Sequence, residues 1–427
     1  MPMSTSLLYH TQGIRDFNHV CYKFHDCILE QTIERKSFCC PVCHKSHVST
    51  YKRGTRIVTG LPCGSKPLWL KFDVHTIYCH DCGRMTPEKI PFLSHPNARI
   101  TKQLEKTIVD YRSCMSTLAI ARYFNLDWHT IRNAQKRYLE KEYKNVSCKN
   151  VTAIGVDEIR VGHNPDGTQH YKTIVRDLDQ GDVLWVGDGK GESALDGFGK
   201  RLKGSGASIK YITMDLGHPF TAWARKNLME ATIVYDHFHV IKLMNDAVDK
   251  VRRRVMGELE QEQKESLKKQ RYLFLRNQEN LGESARNHLE KVKTISGDLG
   301  IMHTMKEDLR AIYAVTAQGY EAELQLKQWI ENARTYTIPD LTRVAKSIEN
   351  HLTGITAYWD TGLTNSHMEG FNSKLRGMIK MANGYSDDAF FTLKIYDLPD
   401  QKIIETESLP GRRRTLRQQM IFPDSTH

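Results

Sequence analysis

Three acidic residues stand where phosphoester chemistry needs them. Asp157 ends one apolar, strand-like run and Asp215 ends another. Glu369 stands in Thr364-Asn365-Ser366-His367-Met368-Glu369-Gly370-Phe371-Asn372-Ser373-Lys374-Leu375-Arg376, which reads as the start of an amphipathic helix. Met368, Phe371, Leu375 and Met378 recur at helical spacing, and Glu369, Asn372, Ser373, Arg376 and Lys380 take another face. Clustered carboxylates repel one another unless a cation is present. Oxygen ligands select hard ions such as Mg²⁺ or Mn²⁺. Two such ions about 4 Å apart activate water or a 3′-hydroxyl and stabilise the leaving oxygen. That chemistry is phosphodiester cleavage and transfer without a covalent protein intermediate. Each acid also has a plain structural reading. Asp157 with Glu158 is a solvated strand end, Asp215 caps the next helix, and Ser366 with Glu369 forms a capping box in which Glu369 bonds back to the Ser366 backbone. Their joint placement favours the metal centre.

The elements that must position these acids alternate between strand and helix signals. Strands are expected at 151–159, 170–178 and 182–187, joined by turns at 164–167 and 179–181. A helix over 193–202, a strand over 209–214, a helix over 219–228 and a strand over 231–235 follow. The last closes with Asp236-His237-Phe238-His239. Three meandering strands and then alternation predict a mixed α/β sheet. From there to Glu369 nearly everything reads as helix, for example 267–277, 285–293 and 321–332.

A second constellation lies upstream. Cys40-Pro41-Val42-Cys43 and Cys79-His80-Asp81-Cys82-Gly83 each present two thiolates from one tight turn, half of a tetrahedral zinc site. Between them 51–58 and 67–78 alternate like the strands of a hairpin that brings the pairs together. Four protein ligands make a closed, structural Zn²⁺ site. Cys39, His44, His47, Cys63 and His80 are possible substitutes, and ordinary buried or redox cysteines are the plainer alternative.

Residues 101–140 read as helical, and 116–132 follow a helix-turn-helix pattern. Ala121 permits a close crossing, Asn125-Leu126 makes the turn and Asp127 caps the second helix. That helix projects Trp128, His129, Arg132, Asn133, Lys136 and Arg137 as candidate DNA contacts and turns Ile131 and Ala134 to the core. A plain helical connector is the alternative. The 427 residues carry a formal charge of +11, which suits a polyanionic partner, and 40% are hydrophobic, which excludes a disordered chain. No apolar run approaches the roughly 20 residues of a membrane span, and no secretion signal is present, so the ten cysteines point to metal rather than disulfides. Basic runs at 252–254, 268–271 and 412–414 read as solvated faces before phosphate contacts.

Gly155-Val156-Asp157-Glu158, Asp215-Leu216, Asp236-His237-Phe238-His239-Val240 and the 364–374 run together resemble the DDE transposases of the ISL class of bacterial insertion sequences. The resemblance covers nearly the whole chain, and the 364–374 motif is its most specific part. It implies a multidomain α/β protein with an RNase H-like catalytic core, interrupted by an all-helical insertion and preceded by a zinc-binding module and a helix-turn-helix. The expected segments are 1–35, a zinc-binding β module over 36–100, a helix-turn-helix domain over 101–145, the core over 150–240, the insertion over 241–350, the rest of the core over 351–400, and a basic tail over 401–427. Asp157, Asp215 and Glu369 are the implied catalytic triad with Mg²⁺ or Mn²⁺, and Asp236, His239 and Asn372 support it. The implied activity is cleavage at terminal inverted repeats and strand transfer, by a dimer or higher oligomer on double-stranded DNA in the bacterial cytoplasm at the nucleoid. A structure-selective nuclease of the same fold and a transposase-derived DNA-binding regulator are the alternatives.

Overall fold

A computed structural model describes residues 7–164, 166–217, 219–258, 271–275, 281–284, 287, 289, 296–382 and 384–399. The expected basic tail over 401–427, most of the 285–293 helix and the 268–270 part of one basic run lie outside these residues. The described residues divide into two compact units, one made of those up to 145 and from 389 on, the other of those within 146–388.

In the first unit α1 (Leu7–Gln12) precedes β1 (Phe17–His25), β2 (Ile28–Arg35), β3 (Val48–Cys63), β4 (Lys66–Cys79) and β5 (Met85–Pro87). The strands form one sheet in the order β1-β2-β4-β3, with β5 on β4. The long β3–β4 hairpin pairs Val48 with Cys79 at its open end, as the alternation of 51–58 and 67–78 requires. Phe17, Phe72 and Phe92 pack edge to face in the core beneath the sheet. Helices α2 (Lys102–Tyr111), α3 (Thr117–Phe124) and α4 (Trp128–Glu142) bury Leu104, Ile108, Ile120, Ala121, Phe124, Ile131 and Ala134 in a second small core. From residue 389 the chain rejoins this unit, and Asp397 accepts bonds from Arg112 at 2.9 Å and from the Tyr143 hydroxyl at 3.2 Å.

The second unit is built on a five-stranded sheet of β6 (Ala153–His163), β7 (Gln169–Asp177), β8 (Val183–Asp188), β9 (Tyr211–Met214) and β10 (Thr232–Tyr235), in the order β10-β9-β6-β7-β8. The first three strands are an antiparallel meander, and β9 and β10 join β6 in parallel through α5 (Asp196–Lys203) and α6 (Phe220–Asn227). Successive side chains of a strand face opposite ways. On one face Ile154, Val156, Ile212 and Met214 join Phe198 and Trp223 in the main core. On the other face lie Gly155, Asp157 and Thr213.

The remaining helices among the described residues are α7 (His237–Glu258), α8 (Arg271–Leu275), α9 (Gly297–Val315), α10 (Gly319–Thr335), α11 (Pro339–Asn350), α12 (Leu352–Thr361) and α13 (Ser366–Ala382), and then α14 (Asp388–Asp397), whose residues from 389 on belong to the first unit. Helix α13 buries Met368, Phe371, Leu375 and Met378, the stripe its spacing predicts. It lies directly on β6, because Gly155 has no side chain. A Cβ there would stand 2.9 Å from Met368 Cγ.

Candidate active site

The sheet brings two of the three acids together. Gly155 pairs with Thr213 in the parallel register of β6 and β9. Two residues further on, Asp157 and Asp215 therefore leave adjacent strands at one level and on one face. Burial pushes the Asp157 carboxyl up to about 7, and the charges of Asp215 and Glu158 add to the rise. Two donors hold it: the Glu158 backbone N–H reaches Oδ1 at 2.8 Å, and the Asn372 amide reaches Oδ2 at 2.6 Å. Asp215 is met by His239 Nε2 at 3.0 Å and by the Asn365 amide at 3.4 Å. Burial lowers the His239 pKa, but the bond to Asp215 and the charges of Asp215 and Asp236 outweigh it and the net shift is upward.

Asp236, buried at the end of β10, accepts from the Phe238 backbone N–H at 3.0 Å and opens α7. Burial opposes its ionisation, yet the bonds from His237 and Phe238 bring its pKa below the usual value. Asp236 thus fixes the first turn from which His239 reaches Asp215.

Glu369 is exposed on the first turn of α13. Its carboxylate does not lie with those of Asp157 and Asp215 within 4.8 Å of one another. The capping box is not formed either. The Ser366 hydroxyl and backbone N–H turn to Thr364 Oγ1, at 2.7 and 3.4 Å, and the first helical N–H groups of Met368 and Glu369 bond the Asn365 carbonyl. Asn365 occupies the cap position, but its side chain is spent on the sheet, on Thr213 at 3.0 Å and on Asp215. Arg176 adds a further tie to α13, with Nη1 on the His367 carbonyl at 2.7 Å and the guanidinium 4.5 Å from the Phe371 ring centre. Thr213 and Arg176 carry no mark at the level of sequence, and Asn365 enters there only as part of the 364–374 motif, with no role. Asn365 carried a readable signal, four positions before Glu369 and seven before Asn372 on one helical stripe.

In the first unit the four cysteines do converge: the Sγ atoms of Cys40, Cys43, Cys79 and Cys82 all lie within 4.8 Å of one another. Cys40–Cys82 and Cys43–Cys79 are 3.7 and 3.5 Å apart. A zinc tetrahedron with bonds of about 2.3 Å has edges of about 3.8 Å. The two turns are copies of each other. In each, the first Cys accepts from the N–H four residues on (His44, Gly83), and that residue has positive φ, 64° and 67°. Backbone N–H groups of Cys43 and Val42 draw the Cys40 thiol down to about 6, while burial drives Cys82 up to about 12. Among the described residues one more donor group converges, His170, Asp188 and Asp388. There the buried Lys172 ammonium already bonds both carboxylates, at 2.6 and 2.7 Å, and takes the place of a cation.

The connection between α3 and α4 follows its sequence closely. Asn125 is left-handed at φ 50°, Leu126 N–H bonds the Ala121 carbonyl at 2.9 Å, and Asp127 accepts from Thr130 N–H at 3.2 Å. His129 and Asn133 are exposed, whereas Trp128, Arg132 and Lys136 are half-buried. Arg132 lies over the Trp128 ring at 5.5 Å and bonds Asn133. Arg137 is committed to Glu105 at 2.6 Å.

Among the described residues no helix is long and apolar enough to cross a membrane. Comparison with known proteins places these features in a family. Residues 154–395, more than half of the chain, match the transposase family of the DDE, ISL3 type. The transposase for insertion sequence element IS1001 of Bordetella parapertussis is 26% identical over 359 residues, 83% of this chain and 86% of that protein. The transposase for insertion sequence element IS1557 of Mycobacterium tuberculosis (strain H37Rv) is 25% identical over 392 residues, 85% of this chain and 86% of its own length. The matched span opens on β6 and takes in Asp157, Asp215 and the whole of α13, so the chain belongs to the ISL3 family of DDE transposases.

Proposed function

We propose that this transposase binds the terminal inverted repeats of an insertion sequence and cleaves and joins DNA strands with Asp157, Asp215 and Glu369 holding Mg²⁺ or Mn²⁺. The observation that carries the reading is the pairing of Asp157 and Asp215 on adjacent strands, with α13 tied to both carboxylates by side-chain amides. The donor set fits a hard divalent cation. It is made of oxygens, its two strand acids repel each other, and Asn372 Oδ1 is buried with no hydrogen-bond partner among the described residues. Bound there, the ions would activate the attacking oxygen and stabilise the leaving one.

The protein's own work is to hold that geometry. Asn372 and the Glu158 N–H fix the Asp157 carboxylate, and His239 fixes Asp215 and stabilises its charge. The sheet order supports an RNase H-like core: the first strand is central, with a meander on one side and parallel crossover strands on the other. In this reading α3 and α4 are a helix-turn-helix that presents His129, Arg132, Asn133 and Lys136 to DNA, beside a zinc-stabilised β module. Arg137 is held back by Glu105. Joining two element ends requires at least two protomers on the DNA.

The test uses the full chain and duplexes carrying the ends of the DNA that flanks its gene. With Mg²⁺ present, nicks that expose a 3′-hydroxyl at the repeat boundary, and transfer of a pre-cleaved end to a second duplex, are the expected products. Cleavage without transfer would replace transposition with a nuclease. Specific binding without either would leave a DNA-binding regulator.

A further inference from the structure

Helix α13 begins in an unusual way, and that points to what its asparagines are for. Asparagine at a cap position ordinarily turns its side chain onto the helix's own N–H groups. Asn365 holds the position, since its carbonyl accepts from Met368 and Glu369, but its side chain does no capping. It is buried, receives the Thr213 hydroxyl on Oδ1 at 3.0 Å and donates from Nδ2 to Asp215. Two helical turns further on, Asn372 is also buried and donates to Asp157 at 2.6 Å. Side chains at positions separated by four and by three residues lie in one stripe along a helix, about 6 and 4.5 Å apart along the axis. Glu369 falls between the two asparagines on that stripe.

We propose that Asn365 and Asn372 are positioning residues that lock α13 in the one register on β6 and β9 that centres Glu369 between Asp215 and Asp157. A neutral amide suits this task better than a cation. It grips each strand carboxylate with one N–H and leaves the carboxylate's charge for a divalent ion. An arginine or lysine in the same place would neutralise the acid and compete with the metal. Slippage of α13 by one residue would turn every side chain by about 100° about the helix axis and take Asn365, Glu369 and Asn372 off their shared stripe along the two strand acids. Gly155, which lets Met368 sit on the strand, and Arg176, which holds the His367 carbonyl, secure the same turn from its other side.

The inference rests on the proposed triad, and the test separates the two. The probe is Mn²⁺ titrated calorimetrically into the full-length, zinc-loaded chain, with circular dichroism to verify folding. Asn365→Ala and Asn372→Ala are each expected to weaken Mn²⁺ binding by about 10- to 100-fold, the range for groups that orient metal ligands. Glu369→Gln is expected to weaken it at least as much. Asn365→Ala placed on top of Glu369→Gln should add less than about threefold, because there is no longer a carboxylate to centre.

Wild-type Mn²⁺ affinity in Glu369→Gln overturns the triad itself. Weakened binding in Glu369→Gln with wild-type affinity in both alanine variants overturns the register lock and leaves the triad standing. Fully additive losses in the double variant also overturn the lock, since Asn365 would then act on Asp215 alone. Should an alanine variant not fold, Thr213→Val decides. It removes only the hydroxyl that orients the Asn365 amide, and a loss of roughly threefold or more is expected; no loss overturns the lock.

Discussion

The cysteine cluster and the carboxylate cluster solve opposite problems. In the first, each pair of thiols comes from one turn, and the turn alone aims both sulfurs. The β3–β4 hairpin then has only to bring two finished halves together. In the second, Asp157 and Asp215 come from adjacent strands, and the charge of Asp215 raises the pKa of Asp157. The protein answers with donors imported from elsewhere: a backbone N–H, a histidine from α7 and two amides from α13. A local site carries its geometry in its spacing. A distributed site carries it in packing, and the packing residues need not resemble ligands at all.

If the four cysteines hold zinc, as proposed, removing it should give the largest effect, because at such a site binding and folding are one process. Structural zinc contributes on the order of 10 kcal/mol to a small domain. Cys79→Ser, or a strong chelator, should therefore release zinc and unfold the first unit, with loss of specific end binding. Elemental analysis and thermal melting check this; unchanged zinc content in Cys79→Ser would remove the site. The second unit's fold should survive the same treatment.

At the carboxylate site, by contrast, losing a ligand should spare the fold and stop the chemistry. Asp215→Asn keeps its shape but gives up the charge that, in the proposed triad, would face the cation. A fall in strand cleavage of roughly a thousandfold or more, about 4 kcal/mol of transition-state stabilisation, is expected. If the ends are held by the first unit, as proposed, end binding should stay within about twofold. Gel-based cleavage and shift assays on one preparation read both, and retained cleavage would sink the role of Asp215.

The same contrast governs what the sequence could show. The CxxC pairs, the hairpin between them, Asp127 as a cap and the apolar stripe of α13 were all legible, because each follows from spacing within a few residues. The strands of the second unit were legible as runs, but their order β10-β9-β6-β7-β8 was not, since pairing is decided by long-range packing. The capping box of Ser366 and Glu369 fitted the sequence rule and was not formed. A competing partner, Asp215, lies 150 residues away in the chain and draws Asn365 to it. Arg176 was invisible for the same reason: its value lies in reaching the His367 carbonyl, 191 residues on.

The burial of Asp157 should also show in pH dependence, with a definite sign. Asp157 titrates near 7 in the folded chain against 3.8 for the ordinary carboxyl. Between these values the native state holds a proton that the unfolded state has released, so stability falls as pH rises through the window. The full difference is up to about 4 kcal/mol above pH 7, and it is absent below pH 4, where both states are protonated. Asp157→Asn cannot lose a proton, so it should overtake the wild-type chain as pH rises from about 4 to 7. Urea unfolding at several pH values without divalent cations measures this, and parallel curves would refute the raised carboxyl. If Asp157 holds Mg²⁺, as proposed, excess Mg²⁺ should recover the wild-type loss by stabilising the ionised form.

The smallest effects separate two neighbouring cations on α4. Arg137 is tied to Glu105 at 2.6 Å, and Lys136 stands one residue before it on the helix. If the first unit holds DNA through this helix, Lys136→Ala should weaken binding almost equally for all sequences and lower the slope of log affinity against log salt by about 1. Arg137→Ala removes an ion pair between partly exposed side chains, worth about 0.2–1 kcal/mol of stability, and should leave the salt slope unchanged. Measuring both variants across a salt series tests the helix face residue by residue. An unchanged slope in Lys136→Ala would take Lys136 off the DNA. A reduced slope in Arg137→Ala would mean that DNA competes successfully with Glu105 and that the α2–α4 ion pair opens on binding.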